Sequence, residues 1–118
     1  MDSYSGFAYI YDRLMQDVDY DGWVDYIKAI FDKFNLNPAL VLELACGTGN
    51  ICIRMAQRGY EMIGVDLSAD MLSVAASKTN ELGLDILYIM QDMAEFELYG
   101  TVDAVICLMD SINYLVNE

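Results

Sequence analysis

The chain has 118 residues, enough for one compact domain and too few for two of ordinary size. Hydrophobic residues make up 56% and charged residues 21%, which excludes disorder, and no apolar run approaches the roughly 20 residues needed to cross a bilayer. Nineteen acids against six bases give a net charge of −13, which repels phosphate and argues against a long nucleic-acid contact through this segment.

Met1-Asp2-Ser3-Tyr4 has neither a basic segment nor an apolar core, so no secretory signal is read there and a cytoplasmic location is expected. Phe7, Tyr11, Leu14 and Val18, with Ile10 alongside, recur at helical spacing and predict the apolar face of a first helix. Asp21 is placed to cap a second helix running through Ala29 to Phe34, with Trp23, Tyr26, Ile27 and Ile30 among its apolar positions. Asn35–Pro38 ends it. The tyrosines of these helices either fill a core or cover a ligand with their hydroxyls offered to its polar end.

From Leu40 the pattern changes. Leu40–Leu44 is a short apolar run suited to a buried strand, followed by a turn containing Gly47 and Gly49 and a helical pattern over Ile51–Arg58. Strand, glycine turn and helix start together form a corner that can hold a nucleotide, because glycine leaves no Cβ between the backbone and a ligand. Glycine spacing alone is also met in turns that bind nothing. The next apolar run, Met62–Val65, ends in Asp66, nineteen positions after Gly47. An acid there suits the two hydroxyls of an adenosine ribose.

Ser68 then caps a helix over Ala69–Leu82, which Gly83 terminates. A third strand, Ile86–Met90, leads through Gln91 to Asp92, and a fourth, Val102–Leu108, leads into Asp110–Glu118. Alternating strands and helices with apolar strands predict a parallel sheet covered on both faces, with right-handed crossovers. Ligands of such sheets bind at the carboxyl ends of the strands, where Glu43, Ala45, Gly47, Asp66, Asp92, Cys107 and Leu108 all fall. Cys46, Cys52 and Cys107 form no Cys-x-x-Cys pair and the chain has no histidine, so no metal site is expected, and the thiols are read as reduced and packed near the sheet.

Glu-Leu-Ala-Cys-Gly-Thr-Gly-Asn (43–50), Gly-Val-Asp-Leu-Ser-Ala-Asp-Met-Leu (64–72), Gln-Asp-Met (91–93) and Val-Asp-Ala-Val-Ile-Cys (102–107) resemble successive motifs of class I S-adenosylmethionine-dependent methyltransferases. The opening Phe-Ala-Tyr-Ile-Tyr-Asp-Arg-Leu-Met (7–15) and Asp-Ser-Ile-Asn-Tyr-Leu (110–115) resemble a bacterial small-molecule branch. The resemblance implies a Rossmann-like α/β domain with an open parallel sheet of order 3-2-1-4. Residues 1–38 would form a helical cap and 39–118 the core, truncated from a seven-stranded fold.

It also implies S-adenosylmethionine as cofactor and a small-molecule acceptor. Ala45 and Gly47 would lie against its methionine part, with Glu43 beneath orienting the loop. Asp66 would take the ribose hydroxyls, Leu67 and Met71 would pack on the adenine, and Asp92 would take the adenine amino group with the Met93 amide beside it. Cys107 and Leu108 would pass near the methionine amino group, and Tyr4, Tyr11 and Trp23 would close the pocket. Ala45 stands where the family more often has glycine, a change tolerated where the backbone is not left-handed. No catalytic base is singled out. Asn113 and Tyr114 either face the acceptor or pack.

Four strands in place of seven suggest a piece of a longer protein, or self-association through an unpaired fourth strand. A noncatalytic module that binds the same cofactor is one competing reading. A nicotinamide-dependent oxidoreductase is the other, but the third small residue of its fingerprint would fall at Cys52 and Asp92 would have no task.

Overall fold

Strand β1 (Leu40–Leu44) is the centre of the molecule, and its middle three residues are buried. The computed structural model describes residues 3–92 and 102–108, with residues 3–7 as backbone only. Before β1 come helix α1 (Ser3–Leu14), a 3-10 turn (Met15–Asp17) and α2 (Tyr20–Lys33). After it come α3 (Asn50–Gln57), β2 (Glu61–Asp66), α4 (Ala69–Glu81), β3 (Leu87–Met90) and β4 (Ala104–Cys107). All strands are parallel in the order β3-β2-β1-β4, as the resemblance implies. The Asp110–Glu118 segment lies outside the described residues.

The register sorts side chains into two faces. Val41 stands level with Met62 and Ala104, and Glu43 with Gly64 and Ile106, while Gly64 stands level with Tyr88. Against this face pack Val24, Ile27 and Phe31 of α2, Ile51, Cys52 and Met55 of α3, and Leu72 of α4, forming one core. The opposite face carries Leu42, Ile63, Leu87 and Val105, then Leu44, Val65, Ile89 and Cys107. Its centre is buried at Leu42 and Val65, but its margins are open at Leu87 (57% exposed) and Val105 (48%). The expected helical cover on both faces is therefore found on one face among the described residues.

Local signals explain most boundaries. Ser68 caps α4 by accepting the Met71 N–H at 3.2 Å, and Gly83, at φ +68°, follows its end. Asp103 accepts the Ala39 and Leu40 N–H groups at 2.9 and 3.0 Å, fastening β4 to the start of β1. Those two bonds hold its carboxyl below the usual range.

Two expectations are corrected. Asp19, not Asp21, caps α2, accepting the Gly22 N–H at 2.9 Å. It can swing in because Gly22 has no side chain, since a Cβ there would stand 2.4 Å from an Asp19 oxygen. Asp21 instead faces Arg54 of α3 and Arg58 just past its end, and Asp25 pairs with Arg58 beside it. In α1, Leu14 (73%) and Ile10 (59%) are exposed, and the inward positions are Ala8, Tyr11, Asp12 and Met15. A carboxylate thus sits in the middle of the buried stripe.

Candidate cofactor site

The loop after β1 is held to the end of β2 by its own amides. Cys46 N–H donates to the Val65 carbonyl at 3.0 Å, Gly47 N–H to Asp66 Oδ2 at 2.8 Å, and Gly49 N–H to the Cys46 carbonyl at 3.0 Å. Asp66 Oδ1 accepts the Ser68 N–H at 2.9 Å. One carboxylate therefore bridges the glycine loop and the start of α4, and each of its oxygens keeps a lone pair for a further donor. With these three N–H groups engaged inside the protein, the loop is a poor cradle for a pyrophosphate, which needs such amides for itself.

The two glycines serve different ends. At Gly49 (φ +84°) a Cβ would stand 2.8 Å from the Tyr88 hydroxyl and 3.0 Å from Ala75 Cβ, so hydrogen is required for β3 and α4 to close on α3. At Gly47 (φ +57°), which is buried, a Cβ would meet nothing nearer than the Tyr11 ring at 3.9 Å, so the loop backbone borders the small space beneath Tyr11. Ala45 is left-handed too, with φ +55°. This corrects the condition under which its methyl was expected to be harmless, and the conformation costs about 1–2 kcal/mol for a residue with a Cβ.

Glu43 is 3% exposed and accepts the Cys52 thiol at 3.1 Å and the Cys52 backbone N–H. It ties β1 to the first turn of α3, at the far end of the loop. Burial pushes its carboxyl up to about 8, with the nearby Asp66 charge acting in the same direction, so it is mainly protonated at neutral pH. The Cys52 thiol is raised as well, by its hydrogen bond with Cys46 and by burial. Cys46 and Cys52 are buried, as read from sequence, but Cys107 is exposed because its position in β4 faces away from the helices.

Between α1, the start of α2 and the loop lies a narrow cavity of about 40 Å³, lined among others by Tyr11, Tyr20, Glu43, Gly47, Asn50 and Leu108. It has room for a small polar group, and an adenosine would have to lie along the open strand ends beyond it. Burial above all, with the Asp66 and Asp12 carboxylates acting in the same direction, pushes the Tyr11 phenol up to about 12. Tyr20 was not singled out from the sequence. It is half-buried, its phenol bonds the Asn50 side chain, and the Arg54 guanidinium stacks on its ring at 5.0 Å. The available signal was its place beside a capping aspartate.

The other expected residues divide. Gln91 N–H donates to the Asp66 carbonyl at 2.9 Å, which brings the exposed Asp92 to the same sheet edge as Asp66. Leu67 (68% exposed) and the half-buried Met71 flank the Ser68 cap at that edge. Leu108 reaches the cavity, and Cys107 does not line it. Trp23 lies elsewhere, in a surface hollow with Asp19, Gly22 and Tyr26. Tyr4 is in the first turn of α1, where side chains are not described, and Met93 lies outside the described residues. No group of three or more metal-ligating side chains occurs among the described residues. None of the described helices is long and apolar enough to span a membrane.

A parallel sheet of this order, with a glycine loop bridged to an acid at the end of the second strand, defines a Rossmann-like cofactor-binding domain. The family model for a methyltransferase domain matches residues 41–118, and the chain belongs to that family. It is 44% identical over 113 residues to YqeM of Bacillus subtilis (strain 168), covering 95% of this chain and 44% of that protein. A solved S-adenosylmethionine-dependent methyltransferase from Clostridium acetobutylicum ATCC 824 superposes with TM-score 0.77 at 37% identity, covering 98% of this chain and 47% of its own. The magnesium protoporphyrin IX methyltransferase of Synechocystis PCC 6803, solved with bound S-adenosylmethionine, gives TM-score 0.61 at 33% identity over 75% of this chain and 41% of its own. The chain thus spans about half the length of these relatives.

Proposed function

We propose that this chain is the cofactor-binding part of an S-adenosylmethionine-dependent methyltransferase that acts on a small-molecule acceptor. The observation that carries the reading is Asp66, whose two oxygens fasten the glycine loop to α4 while facing the open strand ends. The residues present fit the cofactor's chemistry. Asp66 accepts the ribose hydroxyls, Leu67 and Met71 offer the adenine an apolar surface, and Asp92 receives its amino group at the next strand end. The space beside Gly47 takes the polar end of the methionine part, with Tyr11, Tyr20 and Leu108 around it.

When bound, the cofactor supplies an activated methyl on a sulfonium. The chain's task is to hold and orient that group and to exclude water from it, so that alignment with the acceptor lowers the barrier. A small-molecule acceptor is supported by the Synechocystis relative, which is named for one. The dinucleotide alternative is less well supported, because the loop amides it would need are engaged with Val65, Asp66 and Cys46.

Calorimetric titration with S-adenosylmethionine tests the reading. Asp66→Asn keeps the size of the side chain but removes the charge and one of the two acceptors, because an amide nitrogen cannot accept the Gly47 or the Ser68 N–H. We expect affinity to fall about ten- to a hundredfold, the cost of losing charge-assisted hydrogen bonds of about 1.5–3 kcal/mol. Equal affinity in the two proteins would reject this site.

A further inference from the structure

Helix α1 is fastened by a polar cluster that the cofactor reading does not use. Asp12 Oδ1 accepts Lys78 Nζ of α4 at 2.6 Å, the Thr48 hydroxyl of the glycine loop at 2.8 Å and the Asn50 amide at the start of α3 at 3.5 Å. Lys78 also donates to Asn50 Oδ1 at 3.0 Å, and Asn50 to Thr48 Oγ1 at 3.3 Å. The pair is largely withdrawn from water, with side-chain exposures of 13% for Asp12 and 24% for Lys78, and Thr48 is 1% exposed. One carboxylate oxygen thus joins three separate parts of the fold.

Among the described side chains of α1, the apolar anchorage around it is slight. Ala8 and Met15 are buried, but Tyr9, Ile10 and Leu14 are more than half exposed. Asp12 sits between the two buried residues, and its neighbour Tyr11 is the α1 residue that faces Gly47. We infer that Asp12, ion-paired to Lys78 and bonded to Thr48, is a positioning residue: it draws α1 onto the glycine loop and so sets Tyr11 over the cofactor cavity. The inference rests on the cofactor reading above. The docked helix is the binding-competent state, and apparent affinity falls with the fraction of molecules in which it is docked.

The order of events follows from the geometry. Thr48 is the middle residue of the Gly47-Thr48-Gly49 turn, so the latch acts on the same backbone that Asp66 fixes from the other side. Loss of the latch frees α1 and Tyr11 while Gly47 stays bonded to Asp66. The effect therefore appears in cofactor affinity and in α1, and not in the sheet.

The test uses the 118-residue chain, its Asp12→Asn and Lys78→Met variants and the double variant. Calorimetric titration with S-adenosylhomocysteine is paired with amide hydrogen exchange. Asp12→Asn keeps the shape and loses the ion pair, and is expected to weaken binding about tenfold, with Lys78→Met similar. The double variant should weaken it no further than either single one, because the two act as a unit. Exchange should quicken in α1 amides and stay unchanged in β1 and β2. Wild-type binding with unchanged affinity in Asp12→Asn would overturn the inference, as would additive losses or loss of protection throughout the sheet. A folded wild-type chain that binds no S-adenosylhomocysteine would instead overturn the cofactor reading, and the positioning role with it.

Discussion

The two faces of the sheet are built from equally apolar strands and yet meet different surroundings. On the helical face, Val41 and Met62 lie beneath Cys52, Met55, Ile27 and Phe31 in one continuous core. On the other, Leu42 and Val65 are buried at the centre while Leu87, Val105 and Cys107 are exposed toward the margins. The helical face also supports the glycine loop, because Glu43, Gly64 and Tyr88 stand level on it and Gly64 leaves room for Cys46. The contrast separates what holds the chain together from what it leaves available.

Truncation on the helical face should have the largest effect on stability. Met55 is fully buried between α3 and the sheet, and Met55→Ala is expected to lower the unfolding free energy by about 2–5 kcal/mol. Urea denaturation measures it. A loss below about 1 kcal/mol would mean that this core is loosely packed.

Glu43 gives the next effect, and its sign follows from its proton. Burial pushes its native carboxyl up to about 8, against 4.5 for a free glutamate, so between these values the native state holds a proton that the unfolded chain has released. Stability on this account falls as pH rises through that window, by up to about 1.4 kcal/mol per pH unit. Glu43→Gln cannot titrate. It should flatten the decline measured by denaturation from pH 5 to pH 8 and be the more stable protein at the upper end. Parallel pH profiles would show that Glu43 is ionised in the fold.

These two residues also mark how much was legible in the sequence. Strand–helix alternation from Leu40, the Ser68 cap and the Gly83 stop are local signals, and the structure reproduces them within a residue or two. The sheet order came from the motif resemblance, since no local pattern encodes which strands pair. The inward face of α1 was misread because periodicity weights Ile10 and Leu14 as apolar and cannot know that Asp12 has a lysine waiting 66 positions away. The Asp19 cap depended on the space left by Gly22, and the left-handed turn at Ala45 on the Val65 and Asp66 bonds that fold the loop back over β2. Tyr20 was missed for a similar reason, because its place in the cavity lining follows from where α2 docks on α3. Apart from the Asp19 cap, which is local, each miss is a tertiary contact overriding a local preference.

The smallest effect on stability, and the sharpest test of the contrast, lies on the open face. Val105 belongs to β4, the outermost strand on its side of the sheet among the described residues, and is 48% exposed, so Val105→Lys should change unfolding free energy by no more than about 0.5 kcal/mol. Its effect should appear in association. The exposed apolar side chains of β4 offer a surface to a second copy, and a lysine is the usual means of blocking such pairing. Sedimentation velocity over a concentration series is expected to show wild-type mass rising with concentration while Val105→Lys stays monomeric, at equal thermal stability. A wild-type chain that is monomeric throughout would show that exposure on this face is not enough to drive pairing, and that the two faces differ in cover but not in adhesiveness.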